Sequence, residues 1–463
     1  SDNVALRSET DIFWVSGNCS IFLKRYKSGM NTTPNKLPPE IRFNKPERTQ
    51  YEFRDVCLEE LVSETHQVRL VWDYVCSLDL TPFCGNYKSI GDNAGRNATD
   101  PRILLTAWLY ATIEGVSSGR KLAKLCERDA VFMWICGHVG VNYNMLNQFR
   151  VNHQVALQDV MTQTIASLHF HQLIDFKRVS QDGIRVRANA GKSSFRKKEK
   201  LEELSSQIEQ EVRKILTADD AVQSDSDKRS QAARKQAAED KQRRIQEALA
   251  THDELSKQRE KRKKGEGDKT RTSTTDPEAR NMKMADGGFR PAMNIQAATL
   301  NDSRIVVAVE ATNEGTDSGQ MEPMLDAIEQ QHGHRPKEIL ADGGFNSRED
   351  VTAVETSGTT LYSPLRKRRT DDADSSERRR GDSDEVANWR KRMQTEEAKE
   401  IYKERSSTAE FTFARFRNQG LQQLPVRGLV KAKTIALWHA ITHNFRQMQT
   451  MGWLKYVGMT KAT

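Results

Sequence analysis

Three acidic residues stand where chemistry could be done. Asp182 lies within Phe176–Arg187, whose apolar and polar residues alternate with the period of a strand or hairpin. Asp342 follows Lys337-Glu-Ile-Leu340, a short run that reads as a strand delivering its aspartate to the carboxyl end of a sheet. Ligand sites of open α/β sheets lie at those ends. Glu410 opens a segment rich in aromatics, Phe411, Phe413 and Phe416. Arg417 comes about two helical turns later and so shares its face. Carboxylates converging from separate elements suit Mg²⁺, which takes oxygen ligands and keeps several waters. Two such ions about 3.5–4 Å apart stabilise the attacking and leaving oxygens of an in-line displacement at a phosphodiester.

Each acid also has an ordinary reading. Asp182-Gly183 is a common hairpin-turn dipeptide. Asp342-Gly-Gly is a plain turn. Glu410 competes with Glu396, Glu397 and Glu404 and fits a salt-bridged helix surface. The pentapeptide Ala-Asp-Gly-Gly-Phe occurs twice, at 285–289 and 341–345. The first copy follows Asn281-Met-Lys-Met284, which has no clear strand pattern, so Asp342 is preferred over Asp286.

The elements that would position these acids fall into blocks. With 463 residues, the chain calls for two or three domains. Residues 1–57 hold Pro34, Pro38, Pro39 and Pro46 among polar residues and read as an extended, irregular segment. Residues 58–171 read as a helical domain, with Thr99-Asp100-Pro101 as a helix start and one helix expected near Asn144 to Leu168. Residues 172–191 and 270–456 read as an α/β domain, with a hairpin around Asn301-Asp302, a helix over Ser318–Gln331 and short strands at 338–341 and 360–362. Between its halves, residues 192–269 form a charged block with Leu201, Leu204, Ile208, Val212 and Leu216 at helical spacing, expected to be an inserted helical-hairpin arm. Residues 366–387 carry mixed charge without an apolar face and read as a mobile loop.

Composition narrows the function classes. Hydrophobic residues make up 36%, charged residues 29%, and the net charge of +8 suits a polyanionic partner. No apolar run approaches the roughly 18–20 residues that span a bilayer. Ser1 to Phe22 lacks the basic start and apolar block of a signal peptide. The six cysteines form no Cys-x-x-Cys pair, which argues against zinc and for reduced structural thiols. Trp389, alone in a charged segment, reads as a packing anchor.

Five strings occur in order: Thr275-Asp-Pro-Glu-Ala-Arg280, Asn294-Ile-Gln296, Thr316-Asp317 followed by Met321-Glu-Pro-Met324, Ala341-Asp-Gly-Gly-Phe345, and Tyr402-x2-Arg405-x4-Glu410-x6-Arg417. Together they resemble the DDE transposases of bacterial insertion sequences, over roughly residues 60–450. Asp100–Arg150, ending Asn147-Gln-Phe-Arg150, resembles the family's N-terminal DNA-binding region. The family often has Lys where Arg417 stands; Arg keeps the charge and adds bidentate phosphate contacts.

The resemblance implies an RNase H-like catalytic domain behind an all-α DNA-binding domain. It implies that Asp182, Asp342 and Glu410 are catalytic and hold two Mg²⁺ ions, with Mn²⁺ able to substitute. Tyr402, Arg405 and Arg417 would contact DNA, as would the basic residues Arg120, Lys121, Lys124 and Arg150 of the helical domain. Asp317 is read as a helix N-cap. The implied activity is cut-and-paste cleavage and strand transfer at terminal inverted repeats. The implied partners are transposon-end and target duplexes, with a homodimer on DNA in the bacterial cytoplasm at the nucleoid. A nuclease without joining activity and a catalytically silent DNA-binding derivative are the alternatives.

Overall fold

The computed structural model describes residues 57–85, 98–217, 225–365 and 378–453, all within one unit, Val56–Thr463. The expected irregular segment lies outside the described residues except for Cys57.

The first part is helical: α1 (Gln67–Cys76), α2 (Pro101–Ile113), α3 (Gly119–Arg128), α4 (Ala130–Cys136), α5 (Tyr143–Asn152) and α6 (Gln154–Phe170). Local chemistry sets the boundaries. The Asp100 carboxylate accepts from Arg102 N at the start of α2, with Pro101 at the first helical position. Asp129 caps α4 in the same way, and Gly137 ends it with φ +53°. The single helix expected over Asn144–Leu168 is two helices, because the chain bends at His153 (φ −114°, ψ 42°). His153 packs there on Phe149 and Phe83.

A six-stranded sheet follows: β1 (Arg178–Arg187), β4 (Arg280–Lys283), β5 (Phe289–Leu300), β6 (Val306–Thr312), β7 (Glu338–Leu340) and β8 (Thr360–Tyr362). The main order is β6-β5-β1-β7-β8, with β4 on the same edge of β5 as β6. β1, β5 and β6 run antiparallel, whereas β1, β7 and β8 run parallel. The parallel half needs crossovers, supplied by α9 (Met321–His332) and α10 (Arg348–Thr356). Residues 280–283, which showed no strand pattern in the sequence, form β4; pairing with β5 overrides weak local signal.

Between β2 (Phe195–Arg196) and β3 (Thr272–Ser273), which pair with each other, the chain leaves as α7 (Lys198–Thr217) and returns as α8 (Asp225–Arg262). Lys198 meets Asp253 at 2.9 Å and Glu211 meets Lys241 at 4.0 Å, so the helices are antiparallel. Leu201, Ile208, Ile245 and Ala248 form their buried seam.

The C-terminal part comprises α11 (Asp384–Arg392), α12 (Glu396–Arg405), a five-residue π turn (Ser406–Glu410), α13 (Phe411–Asn418) and α14 (Leu429–Thr450). Of the loop expected over 366–387, residues 366–377 lie outside the described residues. Its remainder is pinned: the buried Asp382 carboxylate takes Arg348 and Arg390, each at 2.9 Å, and α11 begins at Asp384. Trp389 is buried, as a packing anchor should be.

Helix α14 joins the parts. It is buried on nearly every side, between β6 and helices α2, α5 and α6. Asn444 pairs through both side-chain atoms with the Val306 backbone, and Trp438 Nε1 donates to Arg150 O at 3.0 Å. Its amino end is capped from a distance. Leu429 N donates to Glu278 and Gly428 N to Asp276, which gives the Thr275–Arg280 string a structural role.

Candidate active site

Asp182 sits mid-strand in β1, not in a turn. The parallel register pairs Ser180 with Leu340, so two residues further on Asp182 comes level with Asp342 at the carboxyl end of β7. Asp342 is fixed by its own turn: Gly344 N donates to its Oδ1 at 2.7 Å, and Ser363 Oγ donates to its carbonyl. A Cβ on Gly344 would lie 2.9 Å from that oxygen, so a side chain there would push the Asp342 carboxylate aside.

Arg405 joins the two carboxylates. One guanidinium nitrogen lies 2.9 Å from Asp182 Oδ2 and 3.9 Å from Asp342 Oδ2. Arg405 is placed by its neighbour. Glu404 takes Arg178 at 2.7 Å and Asn301 at 3.3 Å, tying the end of α12 to the start of β1. Burial pushes up the phenol pKa of Tyr402, one turn earlier, and the nearby Arg405 charge opposes this. Burial also raises the Asp182 pKa; Arg405 and Gly183 N oppose this, while Asp342 and Asp317 add to it.

Glu410 ends the π turn, which packs against β1 and β5. In an α-helix, residues five apart point about 140° apart. The π turn, closed by i→i+5 bonds, winds fewer degrees per residue and so changes that angle. Glu410 and Arg417 are exposed, and among the described residues neither has a hydrogen-bond or ion-pair partner for its side chain. Of the competing acids, Glu404 is engaged as described and Glu396 pairs with Lys399. The fold thus brings Asp182 and Asp342 together with Tyr402 and Arg405. It does not close Glu410 onto them: among the described residues no three acidic, His or Cys side chains meet at one point.

Asp317 is not a helix cap. Helix α9 starts at Met321, with Gln320 at its cap position. Ser318 Oγ and Gly319 N instead bind Asp350, which holds the preceding turn. The Asp317 carboxylate accepts 2.7 Å hydrogen bonds from Asn294 and Gln296 of β5, and Arg185 of β1 stands 3.8 Å away. A Cβ on Gly183 would lie 2.7 Å from Asp317 Oδ1, so Asp182-Gly is read here as strand plus bare contact, not as a turn. The sequence signal was the pair Asn294 and Gln296, two amides on one face of a strand otherwise buried and apolar.

The basic residues of the helical part separate into two kinds. Arg120, Lys121 and Lys124 are exposed on α3. Arg150 is 5% exposed, lies over the Trp108 ring at 4.4 Å and donates to Ser117 O.

A divalent cation fits the carboxylate pair. Asp182 in the middle of β1 and Asp342 just past the end of β7 come level on adjoining strands, and a cationic guanidinium already bridges them. Among the described residues the cysteines Cys57, Cys76, Cys84, Cys126 and Cys136 form no disulfide.

Comparison with known families gives two matches. The transposase DDE domain matches residues 264–445, which include Asp342 and Glu410 but not Asp182. A transposase domain, DUF772, matches residues 56–152, which span α1 to α5. No curated protein and no solved structure matches the chain. The two matches follow one another along the chain, one over the helical part and one over the part that carries Asp342, and together they support an insertion-sequence DDE transposase.

Proposed function

We propose that this transposase binds terminal inverted repeats and catalyses metal-dependent strand cleavage and strand transfer by a cut-and-paste route. One observation carries the reading: Asp182 and Asp342 stand level on adjoining parallel strands with the Arg405 guanidinium between them. The strand order, with an antiparallel triple and a parallel triple sharing β1, supports an RNase H-like catalytic domain interrupted by the α7–α8 arm.

Asp182, Asp342 and Glu410 would hold two Mg²⁺ ions, or Mn²⁺ in their place. When bound, such ions stabilise charge on the attacking and leaving oxygens of an in-line displacement at phosphorus. Arg405 offsets the repulsion between the aspartates until they bind metal, and it is then available to a DNA phosphate. Glu410 would have to close onto the pair, and no partner among the described residues holds its side chain back. Tyr402 and Arg417 border the same face and position the DNA end. Asp317, held by two amides, fixes β5 against β1 behind the aspartates. The helical part supplies end recognition through exposed Arg120, Lys121 and Lys124. Two copies on paired ends form the working assembly. No helix among the described residues is long and apolar enough to cross a membrane.

Asp182→Asn and Glu410→Gln should each abolish Mg²⁺-dependent nicking of transposon-end DNA and leave duplex binding largely intact. Full activity in either variant removes that residue from the site. A strand-transfer assay with pre-cleaved ends separates a transposase from a nuclease that only cuts.

A further inference from the structure

A cleft of about 600 Å³ opens between the amino end of α3, helix α5 and the start of α14. Four cations line it, Arg120, Arg150, Arg427 and Lys431, and no acid does. Arg150 is the unusual one. It is 5% exposed, its guanidinium hydrogen-bonds only Ser117 O among the described residues, and its Nε has no hydrogen-bond partner there. A buried charge is ordinarily paired. No carboxylate among the described residues lies within ion-pair distance of this guanidinium, and burial pulls its pKa down to about 10. The Trp108 ring beneath it covers one face and holds it in place.

The other walls favour an anion as well. The amino end of the ten-residue helix α3 borders the cleft, and helix starts attract negative charge. Its first residue is Gly119, where a Cβ would lie 2.2 Å from Asn147 Oδ1, so α3 can approach α5 closely. Arg120, Arg427 and Lys431 are exposed and form no ion pair with any described residue. A second cleft of about 710 Å³ shares Arg427 and Lys431 and continues to Arg243 and Arg244 of α8. Its four acids are engaged: Asp276 and Glu278 cap α14, while Asp240 and Glu247 both pair with Arg243, which leaves Arg244 as the arm's cation without an ion pair among the described residues. Unpaired cations therefore run from Arg120 of α3 past Arg427 and Lys431 to Arg244 of the arm, as a chain of phosphates requires and a single small anion does not.

We infer that this track binds the backbone of duplex DNA, with one phosphate in the first cleft facing Arg150. The inference rests on the transposase reading and adds to it the surface on which the DNA lies.

The test is fluorescence-anisotropy titration of a labelled random-sequence duplex with the full chain at several salt concentrations. The variant combines Arg120→Gln, Arg427→Gln and Lys431→Gln, all at exposed positions, with folding checked by circular dichroism and thermal melting. Each lost phosphate contact lowers the slope of log K against log salt by about 0.9, so the slope should flatten by about 3. Affinity at low salt should fall at least about tenfold. An unchanged slope in the folded variant, beside a salt-dependent wild type, overturns the cleft assignment and leaves the transposase reading standing. A wild type that binds no duplex at all overturns both.

Discussion

The two copies of Ala-Asp-Gly-Gly-Phe are identical in sequence and similar in local shape. In both, the Asp Oδ1 accepts from the backbone N–H two residues on, Gly288 at 3.0 Å and Gly344 at 2.7 Å. A strand precedes both, β4 and β7. Their surroundings differ. Asp286 turns a hairpin from β4 to β5, pairs with Arg290 four residues on, and is followed by Phe289, 59% exposed. Asp342 ends a strand in the parallel half of the sheet, where the chain must cross over before pairing again. Its Phe345 is fully buried and Arg405 arrives from a distant helix. A short polar turn is thus neutral raw material. Parallel pairing, which sets carboxyl ends side by side, turns one copy into a candidate metal ligand.

The comparison breaks most sharply at the aspartates. Asp342→Asn should remove detectable Mg²⁺-dependent nicking, whereas Asp286→Asn should leave it within about twofold, since surface changes of this kind are close to neutral. Equal losses in the two variants would show that the parallel register does not single out Asp342. The phenylalanines come next. Phe345→Ala should cost about 3–5 kcal/mol of stability and Phe289→Ala within about 0.5 kcal/mol, measured by denaturant melts. The smallest effect reverses the direction. Gly287 has φ +80°, while Gly343 has no positive φ and a Cβ there would make an ordinary 3.8 Å contact with Pro364. Gly287→Ala should therefore cost about 1–2 kcal/mol and Gly343→Ala almost nothing. Thermal melts of the two alanine variants would sharpen or remove that distinction.

The sequence carried much of the layout. Strand β1 was legible in its alternation, α10 and β8 in their apolar spacing, and the arm in its charge and heptad-like leucines. Misreadings clustered where tertiary partners override local preference. His153 splits one expected helix into α5 and α6 because it packs on Phe149 and Phe83. Ser318 and Gly319 bind Asp350 instead of joining α9, which frees Asp317 for Asn294 and Gln296. Arg150, named with the exposed cations of the helical part, is instead buried over Trp108, a setting its spacing cannot show.

What the sequence determined by itself is short-range: the periods of the elements, the Asp-Gly turns, the caps at Asp100 and Asp129, and the identities of the acids. Only the tertiary structure decided which acids meet. Asp182 and Asp342 lie on opposite sides of the arm in sequence, and their level placement follows from the β1–β7 register. Arg405 reaches them because Glu404 is bound to Arg178. Hydrogen-bonded turns close over two to five residues and can be read locally. A carboxylate pair forms only when strands far apart in the chain share one sheet, and no local pattern specifies that pairing.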